Sequence, residues 1–307
     1  MQYIQGIDDF SLDRPSAVTL GKFDGVHMGH QKLISIVKEK AEKENLLSVV
    51  FTFDKIPLSI CPQKHQHFIT TNTERRMFLE GLGLDVEIEY PFTMELMNTE
   101  PEDFIKEIII GKLHAKYVVV GTDFCFGRGR MGNAQMLLEK GPEYGFETIV
   151  VEKERYQDRE ISSTYVREEL RLGHMETVNV LLDRPYSVYG VVSKGKQLGR
   201  QLNLPTMNIY PPDSKLLPPN GVYASITRLD GQKYYGVTNL GIRPTVDDSP
   251  LLSVETNLFG YEADAYGHYI EVQLMHFLRQ EMKFDSVETL KKQIESDATF
   301  AREMFML

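Results

Sequence analysis

GKFDGVHMGHQKLI, residues 21–34, sets glycines, an aspartate and two histidines just ahead of a helical pattern. The preceding AVTLG (17–21) reads as a strand. HQKLISIVKEKAEKEN (30–45) reads as a helix with Leu33, Ile34, Val37 and Ala41 on one face. A strand that ends at Gly21 and turns into a helix near Gly29 points unpaired backbone N–H groups, and the positive end of the helix dipole, at whatever lies above the strand's carboxyl end. That arrangement is a phosphate site. Gly25 and Gly29 let the backbone approach closely, and His27 and His30, three residues apart, can both donate to one anion. If the attacking group is already an anionic phosphate, no proton has to be removed from it, and the imidazoles serve by stabilising charge on the attacked phosphorus and the leaving pyrophosphate. Two other readings stay open on these residues alone. A histidine can simply cap the helix, or the pair can bind a metal, although no third ligand of the expected kind lies nearby.

Outward from this stretch, short apolar runs alternate with helical patterns as far as about residue 183. LLSVVFTF, KYVVVG and FETIVVE read as further strands, and TERRMFLEGL, PEDFIKEIII and NAQMLLEK as helices. The alternation predicts an α/β, Rossmann-like domain with a mostly parallel sheet covered on both faces, residues 1–183. From residue 184 the texture changes to YSVYGVV, GVYASITRL, KYYGVTNLG, LLSVETNLF and YIEVQLMHFLR, with Gly, Pro and Asp between them. Only SVETLKKQIESDATFAREMF reads helical there, capped by Asp285 or Ser286. Residues 184–307 are therefore expected to form a small antiparallel β-barrel closed by a C-terminal helix.

The chain's 307 residues exceed the ~250–300 at which single cores stop growing, which also favours two domains. Its net charge of −10 argues against a broad nucleic-acid-binding face, so any anion site must be compact. The two cysteines, Cys61 and Cys125, stand far apart in no metal-ligand spacing, as expected in a reducing cytoplasm. The N-terminal MQYIQGIDDFSLDRPSA has no basic flank before an apolar stretch, and no run approaches ~18 apolar residues, so neither export nor membrane spanning is expected.

Two more segments of the first half carry chemistry. In EISSTYVREELRLG (160–173), Ser162, Ser163 and Thr164 offer hydroxyls and N–H groups at a helix start, with Arg167 one turn on; the set suits triphosphate oxygens, or serves merely as a helix cap. In GTDFCFGRGRMG (121–132), Gly127, Gly129 and Gly132 satisfy the dinucleotide pattern G-x-G-x-x-G. The intervening TDFCF is too long for the tight first turn that pattern needs, so NAD binding is not expected.

The extended GKFDGVHMGH resembles the H-x-G-H signature of nucleotidyltransferases, in the longer form of bacterial FAD synthetases. GTDFCFGRGRMG resembles that family's flavin-side loop, and ISSTYVR its nucleotide motif. The resemblance implies ATP contacts from Gly21, Phe23, Asp24, Gly25, His27, Gly29, His30, Ser162, Ser163, Thr164 and Arg167, and flavin contacts from Asp123, Phe124 and Phe126. SKGKQLGRQLNLPTMNI (193–209) resembles the riboflavin kinase motif, whose usual ending is Pro-Thr-Ala-Asn. Here Met207 replaces the alanine, and Asn203 stands where glycine is common. GVYAS, VTNLGIRPTV and LLSVETNLF follow in that family's order, so the resemblance to bacterial bifunctional riboflavin kinase/FAD synthetases runs from Val18 to about Asp297.

For the kinase half the resemblance implies Mg²⁺ on Thr206 and Asn208, and ATP on Gly195, Lys196, Gly199, Arg200, Thr206 and Asn208, with Lys194 nearby. Neutral oxygens suit a hard cation that bridges phosphates carrying the charge. It also puts Glu255 and Arg279 beside the flavin. Riboflavin's terminal hydroxyl must lose a proton as it attacks, so a carboxylate base is useful, and Glu255 holds the matching position. The expectation is a two-step transferase: riboflavin to FMN in the barrel, then FMN to FAD with pyrophosphate release in the N-terminal domain. The alternatives are a flavin-binding regulatory protein whose sites no longer turn over, and a cytidylyltransferase-like enzyme fused to a β-barrel interaction module. The expected partners are riboflavin, FMN and ATP, with no nucleic acid or membrane.

Overall fold

The computed structural model describes residues 1–54, 67–193, 206–244 and 250–307. It divides into two compact units, Met1–Gln66 with Thr70–Ser163, and His67–Ile69 with Thr164–Leu307.

The first unit is built on six parallel strands: β1 (Gln2–Gln5), β2 (Ser16–Leu20), β3 (Leu47–Phe53), β4 (Val86–Tyr90), β5 (Ala115–Gly121) and β6 (Glu147–Val151), in the order β1-β4-β3-β2-β5-β6. Both faces are covered, as a parallel sheet requires. Val18, Leu20, Val49, Phe51, Val118 and Val120 enter one core, while Ala17, Val50 and Val119 enter the other with Ile34, Val37 and Ala41 of the Met28–Glu44 helix. PEDFIKEIII, expected as a single helix, is a short α-turn, Pro101–Phe104, continuing as a π-helix, Ile105–Lys112. The order reverses between β2 and β5: the chain grows outward from β2 through β3 and β4, then returns to the other side of β2. In open α/β sheets the crevice above the carboxyl ends at such a reversal is where ligands bind.

The apolar runs read in the sequence do not include β1 or β4. VEIEY alternates apolar and acidic residues, yet every position in it is buried. Val86, Ile88 and Tyr90 join one core, while Glu87 and Glu89 face the Asn72–Gly81 helix, whose buried Arg75 reaches both carboxylates, at 3.3 and 2.8 Å. Tyr3 and Asn72 also donate to Glu89. Thr71 and Glu74 cap this helix reciprocally. Burial pushes the Glu87 carboxyl up to about 7, against the lowering effect of Arg75.

The second unit is a six-stranded antiparallel sheet of β7 (Tyr186–Val191), β8 (Met207–Ile209), β9 (Gly221–Leu229), β10 (Gln232–Pro244), β11 (Pro250–Leu258) and β12 (Tyr269–Arg279), in the order β7-β12-β9-β10-β11-β8. The Ser193 N–H donates to the Asn208 carbonyl at 2.8 Å and so joins the two edges into the expected barrel. Its C-terminal helix, Val287–Phe305, is capped by Ser286. The Ser163–Leu172 and Met175–Leu182 helices, read from the sequence as the end of the first domain, cluster from Thr164 onward with this unit. The reason is packing: Met175, Val178, Leu181 and Leu182 are buried. Asn179 meanwhile donates to the Leu274 carbonyl at 3.1 Å and accepts from the Tyr186 N–H at 2.7 Å.

A fragment starting at Ser162 should therefore melt at least ~10 °C above one starting at Arg184, because the shorter piece uncovers four buried side chains worth about 1.5–3 kcal/mol each. Equal melting temperatures by circular dichroism would contradict this packing role. The buried Glu87 sets a second expectation. Its carboxyl is raised from 4.5 to about 7 in the fold, so the native chain holds the proton more tightly than the unfolded one. The stability it contributes is present below 4.5 and lost as pH rises through about 7. Glu87→Gln should thus stabilise the protein at pH ~8 relative to pH ~5, by an amount on the order of 3 kcal/mol. A pH-independent difference in urea unfolding would refute this.

Candidate functional site

The loop after β2 leaves the carboxyl end of the strand at which the sheet order reverses. Its backbone is unusual: Phe23, Gly25 and Val26 hold positive φ values of 48°, 87° and 42°. Glycine takes that conformation freely; phenylalanine and a β-branched valine take it only under external constraint. Both side chains are fully buried and serve as anchors. The Val26 N–H donates to the Phe23 carbonyl at 3.2 Å, closing the turn. Gln31 Nε2 donates to the Val26 carbonyl at 3.0 Å.

His27 is the N-cap of the Met28–Glu44 helix, which has no acidic residue in its first turn to compete for an anion. The helix thus begins two residues before the sequence pattern suggested. The His27 and His30 rings stack with centroids 3.7 Å apart and planes 19° from parallel, and Phe23 supports His30 at 4.9 Å. A Cβ on Gly29 would lie 3.3 Å from the His27 ring, so this glycine makes room for the imidazole. The same imaginary Cβ is 3.9 Å from the Ile161 carbonyl, which places the start of the I-S-S-T segment beside the histidine turn. Ser163 Oγ donates to the Asp24 carbonyl at 2.9 Å. Asp24 and Ser163 are thereby occupied in building the turn. Ser162 is half-buried beside them, whereas Thr164 and Arg167 lie on the part of the Ser163–Leu172 helix that belongs to the second unit. Among the described residues no group of three or more His, Cys, Asp or Glu could hold a metal ion, so the metal reading of the histidine pair gains no third ligand there.

The loop after β5, the strand next to β2, carries the second motif. Asp123 is exposed and paired with Lys153 at 3.0 Å, which also contacts Glu160 at 3.2 Å. Lys153 is a residue that motif reading missed, for it sits in no pattern. Phe124 is half-buried and stacks on Phe126 at 5.7 Å. Phe126 itself is buried against Phe104 and so supports Phe124 from below. The three glycines of G-x-G-x-x-G form no phosphate turn. They span a hairpin in which Cys125–Phe126 pairs with Gly132–Asn133. A Cβ would meet Pro101 at 2.9 Å on Gly127 and the Phe126 ring at 2.7 Å on Gly132. Close packing explains Gly127 and Gly132, while Gly129 takes a positive φ of 61°.

In the second unit, β8, β11 and β10 bring Asn208, Glu255 and Asn239 into one cross-strand row. Side chains directly opposite in an antiparallel pair lie on the same face, within contact. Thr206 precedes β8 by one residue, so it shares the face of Asn208, and Met207 points the other way and is buried opposite Thr256. The Met207 departure is accommodated because it lands in the core. The Thr238 hydroxyl hydrogen-bonds the Ser225 hydroxyl at 2.7 Å and the Thr256 hydroxyl at 2.9 Å on the opposite face from the row. Asn239 was not singled out in the sequence; its Nδ2 donates to Glu281 at 3.4 Å, and a Cβ on Gly241 would sit 2.6 Å from that carboxylate. Arg279 is engaged elsewhere, with Nε at 3.0 Å and Nη2 at 2.6 Å from the buried Asp297 carboxylate of the C-terminal helix. Its demonstrated contact fastens that helix to the barrel. Lys194, Gly195, Lys196, Gly199 and Arg200 lie outside the described residues.

The FAD synthetase family matches residues 9–165 and the riboflavin kinase family residues 182–305. A bifunctional riboflavin kinase/FMN adenylyltransferase of Buchnera aphidicola is 36% identical over 100% of both chains. That of Bacillus subtilis is 35% identical over 94% of this chain and 92% of its own, and that of Escherichia coli 34% over 100% and 99%. A crystal structure from Streptococcus pneumoniae, described as a macrolide-efflux protein, superimposes with a TM-score of 0.87 at 29% identity over 98% of each chain. That description belongs to the pneumococcal protein. No helix among this chain's described residues is long and apolar enough to cross a membrane.

Proposed function

The chain belongs to the family of bifunctional riboflavin kinase/FMN adenylyltransferases, and we infer that its two halves make FAD from riboflavin in two consecutive steps. Riboflavin is phosphorylated to FMN, and FMN is then adenylylated to FAD with release of pyrophosphate. ATP is the donor in both steps of this reading. The observation that carries the residue assignment is the pair of stacked imidazoles at a helix N-terminus under the sheet reversal.

In the adenylyl transfer the attacking oxygen belongs to the FMN phosphate and is already ionised. His27, His30 and the first N–H groups of the Met28–Glu44 helix donate to the phosphate oxygens on which charge builds. Asp24, Gly25 and Ser163 shape the loop and Ser162 takes triphosphate oxygens, while the same role for Thr164 and Arg167 rests on the sequence motif. Phe124, backed by Phe126, and Asp123, held by Lys153, form the flavin side.

In the kinase step the nucleophile is an alcohol. Glu255 accepts its proton, and Asn208 and Asn239 flank that carboxylate in the row. Thr206 and Asn208 fit a magnesium ion, since they present neutral side-chain oxygens on one face beside Glu255. The ion, when bound, would neutralise phosphate charge. The phosphate roles of Gly195, Lys196, Gly199 and Arg200 rest on the sequence. We place the protein in the cytoplasm, where ATP and reduced thiols fit its widely separated cysteines.

The kinase activity of the half from residue 184 and the adenylyltransferase activity of residues 1–183 should respond separately to mutation. His27→Ala with His30→Ala should abolish FAD formation from supplied FMN and leave FMN formation nearly intact, since losing even one preorganised donor costs on the order of 3 kcal/mol. Undiminished FAD synthesis by a folded double mutant would remove the histidines from the mechanism. Glu255→Gln keeps the shape but cannot take a proton, so FMN formation should fall roughly 10²–10⁴-fold, with riboflavin and ATP binding little changed. A defect repaired by extra Mg²⁺ would make Glu255 a metal ligand instead. Chromatographic separation of riboflavin, FMN and FAD over time reads both variants. It also tests the regulatory alternative, which predicts binding without turnover in the unmodified protein.

A further inference from the structure

The strained loop of the first unit is held from one side by a segment that no motif marks. Thr70 is buried and makes two hydrogen bonds to it. Its N–H donates to Asp24 Oδ1 at 3.2 Å, and its Oγ1 accepts from the Gly25 N–H at 3.1 Å. Five residues on, Arg75 Nη1 donates to the Lys22 carbonyl at 3.4 Å, an oxygen that also receives the Thr52 hydroxyl at 3.3 Å. Arg75 Nη2 donates to the Phe53 carbonyl at 3.4 Å, at the end of β3. The guanidinium is itself fixed by Glu87 and Glu89.

These contacts fall on the neighbours of the residues where the backbone departs from ordinary conformations. Lys22 precedes Phe23 at φ 48°, and Asp24 and Gly25 precede Val26 at φ 42°. Such a backbone persists only when its surroundings over-determine it, and here the surroundings include Thr70 and Arg75. The direction in which His27 and the first helical N–H groups point follows from that conformation. We propose that Thr70 and Arg75 are positioning residues for adenylyl transfer, acting through the Lys22–Val26 loop to aim the histidine and helix donors at the transferred phosphoryl group. This rests on the adenylyltransferase reading of the histidine turn.

A misplacement of about 1 Å at a reacting group can cost about 10²-fold in rate. Thr70→Val keeps the volume and removes the acceptor for the Gly25 N–H; Thr70→Ser keeps the acceptor. Arg75→Lys keeps a charge against Glu87 and Glu89 but cannot span them and the Lys22 carbonyl at once. The full chain is assayed for FAD formation from supplied FMN, for FMN formation from riboflavin, and for calorimetric binding of a non-hydrolysable ATP analogue with FMN. Thr70→Val and Arg75→Lys are expected to lower the kcat of FAD formation about 10²-fold, while ligand stoichiometry stays full, KM for FMN moves much less and FMN formation is unchanged. Thr70→Ser is expected to retain most of the turnover. The proposal is overturned by a Thr70→Val variant that turns over like the unmodified chain, by Thr70→Ser being as impaired as Thr70→Val, or by losses of stoichiometry or kinase activity that track the FAD defect. An unmodified chain that makes FMN but no FAD would overturn the adenylyltransferase reading together with the proposal, and is distinguished from the other outcomes by needing no variant.

Discussion

A buried loop that holds positive φ at Phe23 and Val26, on either side of Asp24 and Gly25, is costly, and much of the first unit is arranged to meet that cost. Phe23 and Val26 hold positive φ with their side chains in the core, so the strain is offset partly by burial. The rest is offset by hydrogen bonds from three separate parts of the chain: Thr70 to Asp24 and Gly25, Ser163 to the Asp24 carbonyl, and Gln31 to Val26. A relaxed connection between β2 and the following helix would leave the helix N-terminus free to shift. The strained one fixes both imidazoles and the helix donors relative to the carboxyl edge of the sheet.

Local chemistry made this part of the fold legible in the sequence. Glycine, aspartate and histidine between an apolar run and a helical pattern leave few structural readings. The Val18, Val49 and Val118 strands are uniformly apolar because both faces of a parallel sheet are covered. β4 was invisible for the same physical reason inverted. Its Glu87 and Glu89 look like surface residues until Arg75, twelve and fourteen positions away, is seen to neutralise them inside the core. Pairing at that separation leaves no periodic trace. Thr70 was missed likewise, because a threonine that holds a distant loop is indistinguishable in sequence from one that caps a helix.

The second site shows a different limit. Met207, a departure from the expected motif, could be judged harmless from strand alternation alone, and it does lie opposite Thr256 in the core. Asn239 could not be found that way, since its place beside Glu255 depends on the register between β10 and β11. Arg279 adds a contact that motif reading does not foresee. A guanidinium near a flavin site invites a ligand role, yet Asp297 takes it in a forked ion pair, and Gln293 completes that carboxylate at 2.9 Å. That pair fastens the C-terminal helix to the barrel.

The two sites differ in construction because their nucleophiles differ. A phosphate oxygen arrives ionised, so the adenylyl-transfer site needs donors held rigidly where negative charge grows; in the reading proposed here, a helix N-terminus and two stacked imidazoles would supply them. An alcohol arrives with its proton, so the kinase site needs an acceptor, and in the reading proposed here a carboxylate on a strand, flanked by amides in register, would supply one. This contrast also explains how a chain of net charge −10 can handle triphosphates. Part of its acidity is paired inside the first core, whereas the donors we propose for phosphate include backbone N–H groups and imidazoles, whose effect is local and does not depend on the charge of the whole.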